Sequence, residues 1–214
     1  MYHQDSDVYC HNSITRVECL GQFRYHTGII YGPQLMAWSQ TLQLGRIVLR
    51  NRLILAPLEG VSDAAFRRIC FNNGAALTFS EMVRGAAIVR NNKATLDLID
   101  SFDEQIPTGL QLLVPNATVL LAALTRIEHL SMTTHRHFRN ISVIDLNFGC
   151  PSKDVIAAGC GPVLLKRHTK MQEIFNTLAD WKSKTKLSIG AVGAKIRLGL
   201  NAQEQQHKVS THVW

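Results

Sequence analysis

Two short apolar runs, each breaking directly into a turn that carries Gly and Pro, constrain this chain more than any other feature. The first is Leu53-Ile54-Leu55-Ala56-Pro57-Leu58-Glu59-Gly60-Val61-Ser62-Asp63. The second is the run 141–146, followed by Asn147-Phe148-Gly149-Cys150-Pro151-Ser152-Lys153. Apolar runs of this length between turn signals read as buried strands, and Gly149 and Pro151 stop regular structure on either side of Cys150. The repeated form implies βα units. In a parallel α/β architecture reacting groups collect at the C-terminal ends of the strands. Cys150 therefore stands where chemistry can be done; the alternative is an inert core thiol at a strand end.

The rest of the chain fits an α/β alternation. Residues 42–50 read as a small hairpin around Gly45, and residues 53–56 as the first strand of the main sheet. Ser62 is expected to cap a helix with Asp63 in its first turn and Phe66, Ile69 and Cys70 as its apolar stripe. A second strand at 76–80 leads to Glu81 and Met82, and a third at 109–114 precedes a helix at 117–130. The stretch 131–140 carries His135-Arg136-His137, read as an exposed loop in preference to a metal or phosphate contact. Met171, Ile174, Phe175, Leu178 and Trp181 recur at helical spacing and read as core. A fifth strand falls within 187–197, although Gly190 and Gly193 weaken it. These glycines make no phosphate loop, because Ile196 stands where a hydroxyl residue must follow Lys195.

At 214 residues with 46% hydrophobic content the chain can bury one main core. It has no apolar run long enough to span a bilayer. Its start, Met1-Tyr2-His3-Gln4-Asp5, lacks a secretory signal pattern, so a soluble cytoplasmic protein is expected. Five cysteines at irregular spacing argue against a disulfide framework. Cys10, His11, Cys19 and His26 fit no zinc pattern in a segment that shows no strand or helix, so no metal is expected. Six of the seven net positive charges arise after Cys150, where ten Lys and Arg, including Lys153, Lys166, Arg167, Lys170, Lys182, Lys184 and Lys186, stand against four Asp and Glu. Such a cluster can rest against a phosphate backbone or can simply be a solvated helix face.

Five stretches, taken together and in order, resemble the tRNA-dihydrouridine synthases, flavin enzymes built on a TIM (β/α)8 barrel. Ala56-Pro57-Leu58-Glu59-Gly60-Val61-Ser62-Asp63 is similar to the family's A-P-M-x-G-V-x-D. Gln111-Leu112 matches Q-L, and Asn147-Phe148-Gly149-Cys150-Pro151 matches N-x-G-C-P. Gly159-Cys160-Gly161-Pro162-Val163-Leu164-Leu165 resembles G-x-G-S-x-L-L, and Lys195-Ile196-Arg197 matches K-x-R. The resemblance implies an extension at 1–41, a partial flavin-binding barrel at 42–200 and a non-matching tail at 201–214. Only five barrel strands have counterparts, so an apparently truncated barrel is expected, with unpaired edges on its first and fifth strands.

The resemblance also implies FMN as cofactor, NADPH or NADH as its reductant, and tRNA as partner. Reduced FMN would deliver hydride to C6 of a uracil while Cys150 protonates C5, the general-acid role that suits an ordinary thiol at neutral pH. By the same carry-over Pro57, Leu58 and Glu59 flank the flavin along their backbone. Gln111 offers an amide to its pyrimidine edge, Asn147 contacts flavin or uracil, and Lys195 places a positive charge near N1 and O2. Arg197 helps on the substrate side, and Lys153, Lys166 and Arg167 meet RNA. The target base must leave its stack to reach such a site. Two other readings stay open: an inactive shortened homologue that keeps RNA affinity, and a related flavin barrel acting on a free pyrimidine. Nothing in the sequence specifies an oligomeric state.

Overall fold

The computed structural model describes Val8–Cys10 and residues 39–197. Strands Val8–Cys10 (β1), Ile54–Leu55 (β4), Leu77–Arg84 (β5), Thr108–Leu113 (β6), Ile141–Phe148 (β7) and Ala191–Ile196 (β8) form one sheet, ordered β1-β8-β7-β6-β5-β4. Every neighbouring pair in it is parallel. Leu42–Leu44 (β2) and Ile47–Leu49 (β3) make a separate antiparallel hairpin. Ala64–Asn72 (α1) follows β4, and Gly85–Val89 (α2) and Lys93–Asp100 (α3) follow β5. Ala117–Thr133 (α4) follows β6, and Lys153–Ala157 (α5) and His168–Lys184 (α6) follow β7. The result is an open, parallel half-barrel of the (β/α)8 type.

Alternation along β7 explains how the layers form. Ile144, Leu146 and Phe148 point outward into the large core shared with Leu120, Leu124 and Ile127 of α4 and with Met171, Ile174, Leu178 and Trp181 of α6. Phe148 meets Phe175 edge to face at 5.6 Å. Val143 points inward and packs with Leu77, Phe79, Ala191 and the hairpin residues Leu44 and Leu49. The hairpin thus plugs the N-terminal end of the half-barrel. Arg46 N donates to Gly190 O at 2.9 Å, and a Cβ on Gly190 would run into Ile47. Gly190 is therefore a packing glycine that lets the hairpin approach, and it precedes β8 without interrupting it.

Four expectations from the sequence are corrected. Asp63, with Ser62 beside it, is the cap of α1: its side chain accepts from Phe66 N at 2.8 Å, while Ser62 is buried in the preceding turn. The inner side of α1 is filled by Arg67, whose guanidinium donates to Ser62 O at 2.8 Å and Ser101 Oγ at 3.1 Å and lies over Phe102. The expected stripe consequently sits at the margin, with Phe66 and Cys70 half-buried and Ile69 57% exposed. The histidine stretch keeps Arg136 and His137 exposed as expected, but it forms a 3-10 turn, Arg136–Asn140, and His135 is half-buried, stacked on Phe138 and 3.3 Å from Asp100. Finally, the fifth barrel strand is not left with a bare edge.

Val8, Tyr9 and Cys10 pair with Val192, Gly193 and Ala194 of β8, so the N-terminal segment does contain a strand. The physical reason is that β8 carries a row of backbone donors and acceptors that must find partners. The expectations for Cys19, His11 and His26 and for the tail at 201–214 lie outside the described residues. Among the described residues no group of His, Cys, Asp and Glu could hold a metal ion, and no helix is long and apolar enough to cross a membrane.

Candidate functional site

At the C-terminal ends of the strands the inward-facing positions turn from apolar to polar. The register places Gln111 beside Asp145, Asp145 beside Gly193, and Asn147 beside Lys195. A cavity of about 440 Å³ opens above them, lined by Pro57, Glu59, Met82, Gln111, Asn147, Gly149, Cys150, Pro151, Lys195, Ile196 and Arg197. That volume lies within the range of small-molecule and cofactor sites. Its lining mixes apolar surface from Pro57, Met82 and Ile196 with two amides, a carboxylate and two cations.

The cysteine loop is held by a chain of side-chain hydrogen bonds. Asn147 Oδ1 accepts from Gly149 N at 3.0 Å and from Cys150 N at 2.8 Å, folding the loop back on the strand end. Asn147 Nδ2 donates to Gln111 Oε1 at 2.8 Å, and Gln111 Nε2 donates to Asp145 Oδ2 at 2.6 Å. Burial raises the Asp145 carboxyl to about 7, against the lowering influence of the Gln111 hydrogen bond and the Lys195 charge. The other oxygen, Asp145 Oδ1, is buried and has no hydrogen-bond partner.

Ser152 caps α5 by accepting from Val155 N at 3.4 Å, which starts the helix directly after the loop. The chain then returns through Gly161, at φ +63° and close against Cys150: a Cβ there would lie 3.0 Å from Cys150 O and 2.7 Å from Val155 Cγ1. Cys150 itself is half-buried, packed with Met82 against Leu113, Val155 and Cys160. Cys160 is buried, does not line the cavity, and has its thiol pushed up by burial. Opposite the cysteine loop, Ser62 Oγ accepts from Leu58 N and donates to Leu58 O, both at 3.0 Å, and Gly60 N donates to Glu81 Oε2 at 2.8 Å. These bonds fix the loop that carries Pro57 and Glu59.

Of the residues singled out in the sequence, Pro57, Glu59, Gln111, Asn147, Cys150, Lys195 and Arg197 converge on this cavity. Leu58 does not line it and is exposed, contributing backbone to the loop. Lys153 is exposed at the start of α5, and Lys166, which ends the turn Gly161–Lys166, and Arg167, which follows it, are exposed too. None of these three lines the cavity. Sequence reasoning passed over Met82 as a lining residue, Glu81 as the clamp on the opposite loop, and Asp145 under the floor. The alternation that puts Val143, Asp145 and Asn147 on one face was the available signal for Asp145.

Residues 54–212 match the family model described as dihydrouridine synthase. The chain is 32% identical over 141 residues to tRNA-dihydrouridine synthase B of Pseudomonas putida, covering 65% of this chain and 39% of that protein. It is 33% identical over 138 residues to the Pseudomonas aeruginosa protein of the same name, covering 64% and 39%. It is 29% identical over 147 residues to a probable tRNA-dihydrouridine synthase of Treponema pallidum, covering 69% and 41%. The chain thus spans about two fifths of the length of these curated relatives. With a family model matching most of its length and the strand-end motifs converging on one cavity, the chain belongs to the dihydrouridine synthase family.

Proposed function

We propose that the chain carries the strand-end half of an FMN site at which uridine in tRNA is reduced to 5,6-dihydrouridine, with NADPH or NADH as reductant. The observation that carries this reading is the convergence of Cys150, Gln111, Asn147 and Lys195 on one cavity of about 440 Å³. The lining fits a flavin ring: apolar surface for its body, an amide for its pyrimidine edge, and a cation that favours an anionic reduced form. When bound, reduced FMN supplies a hydride for C6 of the uracil.

Gln111 and Lys195 would hold the polar edge of the ring, and the backbone of Pro57, Leu58 and Glu59 would pass along it. Cys150 supplies the other half of the reduction, its Sγ–H bond breaking as a C–H bond forms at C5. Together the hydride and the proton saturate the C5–C6 double bond, and the thiolate left on Cys150 regains a proton from solvent. Asn147 keeps the thiol in place through the backbone of its loop. Arg197 lines the same cavity and would steady the substrate. Lys153, Lys166 and Arg167 lie outside it on the same βα connection and would meet tRNA phosphates.

The test is a comparison of substrates. With FMN and NADPH or NADH, the protein should form dihydrouridine in unmodified tRNA and leave free uracil and uridine untouched. Turnover confined to a free pyrimidine would replace this reading with that of a small-molecule flavin reductase. Flavin binding without product from either substrate would leave a binding protein.

A further inference from the structure

We infer that Asp145 is the positioning residue of this site: a buried carboxylate that sets the polarity of the Gln111 and Asn147 amides and through them locks the Cys150 loop. The inference rests on the reading above for its catalytic consequence and on geometry alone for its structural one. Asp145 is 3% exposed, Gln111 1% and Asn147 9%, so water has little part in deciding which way the two amides face. Above about pH 7 the raised Asp145 carboxyl is ionised, and an ionised carboxylate only accepts. Gln111 must therefore turn its NH₂ toward Asp145 Oδ2, at 2.6 Å, which leaves Oε1 for Asn147. Asn147 must then give its NH₂ to Gln111 at 2.8 Å, and its oxygen faces the backbone N–H groups of Gly149 and Cys150.

Reversing either amide would set donor against donor at the strand end. With Asn147 turned over, its NH₂ would oppose two backbone N–H groups, and the loop could not stay folded on the strand. The same order fixes what the cavity sees. Gln111 lines it, and the second hydrogen of its NH₂ is the group offered to a ligand carbonyl. Lys195, in the neighbouring register position to Asn147, is the charged group acting on Asp145 from β8. The carboxylate does not line the cavity and acts only through its neighbours.

The test follows alkylation of Cys150 by iodoacetamide at about pH 8.5, where Asp145 is ionised, read peptide by peptide by mass spectrometry, with Cys70 and Cys160 as internal references. Asp145→Leu should speed modification of Cys150 by about tenfold, the scale set by losing one hydrogen bond that holds the loop. Asp145→Asn keeps an acceptor oxygen for Gln111 and should stay within about threefold of the native rate. If Asp145→Leu does not fold, the double variant Asp145→Leu/Gln111→Leu replaces both partners by apolar groups of similar size, an exchange that can be near neutral for stability. It should show the same acceleration. Unchanged Cys150 reactivity in the folded leucine variant would overturn the inference. So would an asparagine variant as fast as the leucine one, which would assign the effect to charge, or equal acceleration at Cys70 and Cys160. No flavin or RNA enters this test, so a failure of the flavin reading leaves its result intact, and its own failure leaves flavin binding untouched.

Discussion

The two ends of the half-barrel are built from the same strands and do opposite things. At the N-terminal end Val143, Ala191, Leu77 and Phe79 meet Leu44 and Leu49 of the hairpin in a closed apolar plug. Two to four residues further along, the inward positions are Gln111, Asp145, Asn147 and Lys195, beneath an open cavity. The inward-facing apolar packing lies where the strands begin and the candidate site where they end, a division general to barrels of this kind. The polar layer is held by the Asn147–Gln111–Asp145 bonds, with only Asp145 Oδ1 left over, because a buried amide or carboxylate left wholly without partners costs on the order of 1–3 kcal/mol.

The comparison can be broken first at the thiol. Cys150→Ala should lower dihydrouridine formation by about 10²–10⁴-fold, the usual worth of a positioned general acid, with flavin still bound. Cys160→Ala, at a buried thiol outside the cavity, should change the rate by less than about threefold on the same scale. Equal losses would remove the distinction between the two cysteines. At the opposite end, Leu49→Ala should cost about 2–5 kcal/mol in urea unfolding, since Leu49 is fully buried in the plug. Its alkylation rate at Cys150 should match the native one under native conditions; a faster rate would show that the two ends are not separable.

Asp145 sharpens the comparison through pH. Its folded-state carboxyl is raised to about 7 from an ordinary 3.8, so the folded chain holds this proton more tightly than the unfolded one. The stabilisation is complete below the unfolded value and is lost as pH rises through the folded value. The native protein should therefore lose stability between about pH 4 and pH 7, by a few kcal/mol at most, relative to Asp145→Asn, which does not ionise. Lys195 opposes the loss and limits its size. Parallel stability profiles for the two proteins would show that Asp145 keeps the same proton folded and unfolded. The smallest effect belongs to the cap of α1: Asp63→Ala should cost about 1 kcal/mol, and Ser62→Ala should act through the Leu58 turn and leave the helix start intact.

The main strands were legible because each is an apolar run that ends in turn chemistry, as at Leu55 before Pro57 and at Phe148 before Gly149. Seven site residues were legible for the same reason, lying in or just beyond those ends. Side-chain competition was not legible. Ser62 and Asp63 are adjacent capping residues, and only the turn that occupies Ser62 decides between them. Arg67 reads as a surface residue until Phe102 and Ser101 arrive from another unit to cover it. The pairing of Val8–Cys10 with β8 joins segments far apart in the chain through only three residues, and no local pattern announces it. Asp145 was hidden by its apolar neighbours, since a strand buried on both faces reads as a continuous run.

The central claim, that the open end binds a flavin beside Cys150 while the plugged end only supports it, is tested most directly by protection of that thiol. FMN is titrated against the rate of Cys150 alkylation in the native protein, in Gln111→Leu/Lys195→Met and in Leu49→Ala. The account predicts saturable protection in the native and Leu49→Ala proteins at the same FMN concentration. It predicts that the Gln111/Lys195 variant needs at least about tenfold more FMN, the equivalent of one lost charged or hydrogen-bonded contact. No protection of the native protein, or equal weakening in all variants, would contradict it.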